Sequence, residues 1–143
     1  MDDERVVSGI VGIVDTTRRC ALLLRRFDAD RDYPSHWCFP GGQVQTGETT
    51  VDAAAREALE ETWLTIRGLE RLDRRESTGA TGRIYLIDCF LTTSWSGTLI
   101  EFPSAEHAGA AWMPFEALVG LEPAAPVTRW VASTIWSRFI DAS

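Results

Sequence analysis

Three glutamates, Glu57, Glu60 and Glu61, stand at i, i+3 and i+4 in an alanine-rich stretch, with Arg56 directly before them and Glu48 further upstream. In a helix, at about 100° per residue, that spacing puts the three carboxylates on roughly one 100° arc. Like charges so placed repel by about a few tenths of a kcal/mol per pair, so a cation is expected to offset them. Hard divalent ions such as Mg²⁺ take carboxylate and carbonyl oxygens, and Mg²⁺ is commonly shared between protein carboxylates and substrate phosphates. Arg56 flanks the arc, where its guanidinium can pair with Glu48 or Glu60 and hold carboxylates in place. Gly41 and Gly42 precede the helix; two glycines let backbone approach a ligand closely and free a carbonyl for a metal. An arbitrary acidic helix face is usually just solvated, but solvation does not explain why a Pro-Gly-Gly turn, Glu48 and Arg56 accompany this one.

These residues need elements to position them. Thr49 to Thr62 reads as a helix with Thr49 or Thr50 as its cap. On it, Val51, Ala55, Ala58 and Thr62 fall opposite the acidic arc as a core stripe. Upstream, Val6 to Val14 and Cys20 to Arg26 are apolar strands joined by the turn Asp15-Thr-Thr-Arg-Arg, an expected hairpin. Phe27 to Ser35 is a polar loop, and Trp37-Cys-Phe-Pro-Gly-Gly is a short aromatic strand stopped by its proline and glycines. Downstream, Leu64 to Glu76 reads as one strand, Ser77 to Gly82 as a loop, and Arg83 to Thr93 as a long strand. Trp95-Ser-Gly opens another loop, and Ala111-Trp-Met is a short strand before a helical turn or two over Phe115 to Val119. A last helix runs from Pro126 to Ile140, with Val127, Trp130, Val131, Ile135 and Phe139 at helical spacing. Strands gathered around two helices imply an α+β fold, a mixed sheet covered on both faces.

The segment from Gly42 to Leu64 resembles the Nudix box, G-x5-E-x7-R-E-U-x-E-E-x-G-U, in which U is a bulky apolar residue. Gly42, Glu48, Arg56, Glu57, Glu60, Glu61 and Leu64 match in register. Six specified polar or glycine positions matching by accident in such a chain has odds on the order of 10⁻⁵. Ala58 is smaller than the pattern's apolar residue, and Trp63 stands where the pattern has glycine. Tryptophan there costs roughly 1 kcal/mol if the left-handed backbone is kept, so an altered turn is expected, with no metal ligand touched. The resemblance implies an α/β/α sandwich, a curved mixed sheet between helices, that hydrolyses nucleoside diphosphates linked to another group. It implies that Glu57, Glu60 and Glu61, with the Gly41 carbonyl, ligate Mg²⁺ or Mn²⁺. Arg56 would then orient the glutamates and Glu48 support them.

Beyond the box the chain is similar to the MutT-type nucleoside triphosphate pyrophosphohydrolases. Arg25-Arg26 closes a strand, Phe39-Pro-Gly-Gly enters the box, and Glu106 lies six residues before Trp112-Met113. Glu106 or a box glutamate is the expected general base. Arg26 is the candidate phosphate contact because a guanidinium grips phosphate oxygens bidentately; a solvated strand end is the equally weighted plain reading. Trp37 or Phe90 is the candidate for stacking on a base. His36 and His107 read as loop surface, and the tryptophans mostly as core.

Length and composition bound the rest. With 143 residues, 45% hydrophobic and 24% charged, the expectation is one globular domain over residues 1–143. The net charge of −7 disfavours a nucleic-acid partner, which a basic face would serve. No apolar run approaches the ~18–20 residues of a membrane span, and the acidic start Met-Asp-Asp-Glu-Arg lacks the basic region of an export signal. Three cysteines at no metal-ligand spacing fit a reduced, cytoplasmic protein. A homodimer is one assembly the sequence allows. All 14 cationic side chains are arginine, and asparagine is absent. MutT-type relatives that select oxidised guanine read it with a carboxy-terminal asparagine, so that preference is not expected here. The expected partner is a small nucleotide, first a triphosphate cleaved to monophosphate and pyrophosphate. The alternatives are a sugar nucleotide, ADP-ribose or dinucleoside polyphosphate, and a nucleotide-binding module without turnover.

Overall fold

The computed structural model describes residues 5–79 and 81–140; the acidic start over residues 1–4 lies outside them. In chain order the elements are β1 (Arg5–Asp15), β2 (Cys20–Arg25), β3 (Trp37–Cys38), β4 (Gly41–Gln43), α1 (Thr50–Thr62), β5 (Thr65–Arg67), β6 (Glu70–Thr78), β7 (Ile84–Thr92), β8 (Ser94–Ser96), β9 (Gly109–Pro114), α2 (Phe115–Leu118) and α3 (Pro126–Ile140). The expected hairpin forms through Val14↔Ala21 and Asp15↔Cys20, and Arg18 closes its turn on Asp15 at 2.8 Å. Upstream of it, β1 runs parallel to β7 from Arg5↔Ile84 to Ile13↔Thr92. The sheet is therefore mixed, in the order β3-β2-β1-β7-β6, with β9 on β2 and β4 on β1.

Residues on opposite faces of these strands build two cores. One face packs Val11, Ile13, Leu22, Leu24 and Phe90 against Ala54 and Ala58 of α1. The other packs Val14, Leu23, Cys89 and Leu91 against Phe115 of α2 and Val131 and Ile135 of α3. Each large aliphatic side chain so enclosed contributes about 1.5–3 kcal/mol. The result is the expected α/β/α sandwich. α1 lies very close to β1: a Cβ on Gly9 would sit 2.1 Å from the Thr50 carbonyl oxygen, so only glycine allows this approach. No described helix is long and apolar enough to cross a membrane, and all three cysteines are free thiols.

Several local expectations change. The single strand over 64–76 is two strands, broken after Arg67 by Gly68 at φ 60°. β6 then runs on to Thr78 along β7, with a bulge between Arg71 and Asp73. The expected loop at Trp95 is a strand, because β5 and β8 pair through Ile66↔Trp95; a Ser-Trp-Ser run extends only when a partner supplies the ladder. Pro40 ends β3, yet the chain resumes at once as β4 on β1, with Gly42 opposite Gly9. The core stripe of α1 is Ala53, Ala54, Ala58, Glu61 and Thr62, whereas Val51 is exposed. The helix is rolled so that the acidic arc overlaps the buried face. Of the tryptophans, Trp63 is exposed and the others are only partly buried, among them Trp95 and Trp112, stacked at 5.0 Å.

Candidate active site

Local chemistry sets both ends of α1. Thr49 caps its start: the Thr49 hydroxyl accepts from the Asp52 amide at 3.2 Å, and the Asp52 carboxylate accepts from the Thr49 amide at 3.4 Å. At its end Trp63 adopts φ 69° and donates its amide to the Leu59 carbonyl. The turn keeps the left-handed geometry that glycine would take, so the expectation of an altered exit is corrected. The indole is 66% exposed, so its size meets no packing constraint.

Arg56 is the hub of the acidic cluster. Its guanidinium donates to Glu48 through Nε at 2.6 Å and Nη2 at 3.0 Å. It also reaches Glu57 at 3.3 Å, Glu60 at 3.1 Å and the Gln43 carbonyl at 3.1 Å. The hydrogen bonds from Arg56 hold the Glu48 carboxyl below its ordinary range and raise the already basic guanidinium further. A planar fork making bonds in several directions fixes the glutamates relative to the β4 backbone. Gly42 completes this arrangement, because a Cβ there would stand 2.5 Å from the Glu57 carboxyl carbon.

The glutamates differ sharply in environment. The Glu60 side chain is half exposed and does not line the adjacent cleft. Glu57 faces the cleft, and burial raises its carboxyl above the ordinary glutamate value. Glu61 is only 7% exposed. It accepts the Gly41 amide at 3.0 Å, but burial outweighs that bond and pushes its carboxyl up to about 9. Glu106 comes from the loop before β9, and ligand atoms of Glu61, Glu106 and His107 all lie within 4.8 Å of one another. Carboxylate oxygens converging where burial disfavours their charge are a donor set that suits a hard divalent cation.

The cleft beside them has a volume of about 550 Å³. Strands β1 and β7 form its floor, and the β2–β3 loop and the start of α3 form its walls. Arg26 lines it, bonded to Asp30 at 2.9 Å with its guanidinium 5.9 Å from the Tyr33 ring centroid. It is therefore a held cation, unlike the solvated strand end weighed against it. Trp37 lines the cleft too, with the Arg25 guanidinium 5.4 Å from its ring centroid. Phe90 does not. It is 5% exposed in the core beneath α1, on the sheet face away from the cleft, so its reading as a base-stacking residue is corrected. His107 is likewise no surface residue, being 5% exposed, while His36 lines the cleft with Nδ1 2.7 Å from the Pro34 carbonyl oxygen.

Sequence reasoning missed the far wall. Asp32 accepts from the Thr81 amide at 3.1 Å and its hydroxyl at 2.7 Å, and from the Tyr85 hydroxyl at 2.5 Å. Tyr33 and Ser77 share a hydrogen bond at 2.7 Å. These contacts join the β2–β3 loop to β6, β7 and the turn between them, some fifty positions on, and the only signal was the density of aspartate and arginine between Phe27 and Ser35.

Fold and site together define an α/β/α enzyme built around a loop–helix–loop carboxylate cluster. A model of the NUDIX domain matches residues 3–131, and the chain belongs to this family, as a Nudix hydrolase. Among solved structures it is similar to the MutT NUDIX hydrolase from Burkholderia pseudomallei, with a TM-score of 0.79, 23% identity, and coverage of 92% of this chain and 98% of that one. The MutT protein from Methanosarcina mazei Go1 aligns with a TM-score of 0.73 and 24% identity over 99% of this chain and 97% of that one. In sequence, it is 38% identical over 58 residues to the m7GpppN-mRNA hydrolase NUDT17 of Danio rerio, which is 41% of this chain and 19% of that protein. The chain thus matches about a fifth of the length of that curated relative.

Proposed function

We propose that this chain, as a single domain, hydrolyses a nucleoside triphosphate to the monophosphate and pyrophosphate with Mg²⁺ or Mn²⁺. The observation that carries the reading is the Arg56-held cluster of Glu48, Glu57 and Glu60, set beside Glu61 and Glu106 at a cleft of about 550 Å³. Glu57, Glu60 and Glu61, with the Gly41 carbonyl, are the proposed metal ligands. A cation bound there would supply Lewis-acid polarisation of phosphoryl oxygens and a more acidic water. Arg56 keeps the carboxylates in position, and Glu48 holds Arg56. Arg26, on the cleft wall, binds a phosphate of the substrate. The proton of the attacking water passes to a carboxylate oxygen of Glu57 or Glu106, both of which line the cleft. Trp37 offers an apolar surface for the base.

A substrate with two nucleotide ends is the second reading, favoured by the partial match to NUDT17, which bears the name of an m7GpppN-mRNA hydrolase. The test is a panel of nucleoside triphosphates, ADP-ribose, sugar nucleotides, dinucleoside polyphosphates and a cap dinucleotide, each with Mg²⁺ and with Mn²⁺. Pyrophosphate and nucleotide products are identified by chromatography. Triphosphate turnover with pyrophosphate release supports the first reading; turnover of two-ended substrates alone replaces it with the second. Tight binding without turnover of any member would leave a nucleotide-binding module.

A further inference from the structure

His107 is buried, and its Nδ1 has no hydrogen-bond partner. Such an atom costs about 1–3 kcal/mol in a folded protein. The ring is not there by slack in the loop. The His107 amide donates to the Ser104 hydroxyl at 3.1 Å, and the His107 carbonyl accepts from the Ser104 amide at 2.9 Å. The next residue, Ala108, donates to the Arg25 carbonyl at 2.7 Å, which ties the turn to β2. A rigid backbone therefore presents an imidazole to the cleft beside two carboxylates.

We propose that His107 is a nitrogen ligand that completes a mixed cation site with Glu61 and Glu106 and biases it toward transition metals over Mg²⁺. The inference rests on the metal-dependent reading above and deepens it. One ligand atom from each residue lies within 4.8 Å of the others. Ligand atoms about 2.0–2.1 Å from one octahedral ion are separated by about 3–4 Å, so small side-chain adjustments close the site. Imidazole suits Fe²⁺, Ni²⁺ and Zn²⁺ best, and Mn²⁺ still accepts it more readily than Mg²⁺, which prefers oxygen and retains its waters.

The test is pulsed electron paramagnetic resonance of the full chain with Mn²⁺, together with Mn²⁺ and Mg²⁺ titrations of the wild type and of H107N. The expected result is a ¹⁴N coupling from a directly bound imidazole in the wild type and its loss in H107N. Mn²⁺ affinity should fall at least about tenfold in the variant, the lower end of what losing even an outer-shell partner costs, while Mg²⁺ affinity changes less than threefold. If H107N does not fold, the wild-type spectrum alone decides. Mn²⁺ bound without ¹⁴N coupling overturns the role of His107 and leaves the proposed function standing. No Mn²⁺ binding at all overturns both. Equal losses of Mn²⁺ and Mg²⁺ affinity overturn the selectivity.

Discussion

Glu61→Gln is expected to change how the stability of the metal-free protein depends on pH. Burial holds the Glu61 carboxyl at about 9, against 4.5 for the ordinary side chain. Between those values the folded chain keeps a proton that the unfolded chain has released. A raised folded pKa confers stability that is complete below the unfolded value and is lost as pH climbs toward the folded one. The slope from this one group is about 1.4 kcal/mol per pH unit, or about 3 kcal/mol between about pH 5.5 and pH 8. Water entering from the cleft screens the ionised carboxylate, which makes this an upper figure. Glutamine can still accept the Gly41 amide but has no proton to lose. Urea unfolding of both proteins, in chelator at the two pH values, isolates the effect, because the other titrating groups cancel in the difference. The variant should gain up to about 3 kcal/mol on the wild type as pH rises across that window. Divalent metal should reverse the wild-type loss, releasing close to one proton per ion bound near pH 7, as read by calorimetry in two buffers. A difference between the proteins that does not vary with pH would refute the burial argument.

Arg56→Lys removes the two-point grip on Glu48 and the simultaneous reach to Gln43. Turnover should fall about 100-fold through misplaced carboxylates, with circular dichroism unchanged; full activity would show the clasp to be ornamental. Gly42→Ala puts a Cβ against the Glu57 carboxyl, so metal affinity, measured by titration, should fall even though the site is otherwise intact. Trp63→Gly relieves a left-handed residue, worth about 1–2 kcal/mol, partly offset by the greater freedom of glycine when unfolded. Denaturant unfolding should show a net gain of about 0.5–1 kcal/mol, and a loss would mean that the indole makes contacts that matter.

The acidic helix was legible because its information is local. Glu57, Glu60, Glu61, Arg56 and Glu48 lie within one capped helix and the turn before it, so periodicity alone sets their relative positions. The same holds for the strands of β1, β2 and β7 and for α3, whose apolar patterns survive into the two cores. What the tertiary structure alone decided is environment. Periodicity places Glu60 and Glu61 on one arc, but only the packing of α1 on β1 leaves the first half exposed and the second 7% exposed. Glu106 and His107 meet Glu61 because β9 pairs with β2, a contact with no local signature. Other long-range pairings, β5 with β8 and β6 with β7, placed two strands on either side of Gly68, made a strand of Ser94–Ser96 and set the face on which Phe90 meets the helix. Side-chain spacing along one element is written in the sequence; which side of a sheet a residue faces, and how far water reaches it, depends on elements far away in the chain.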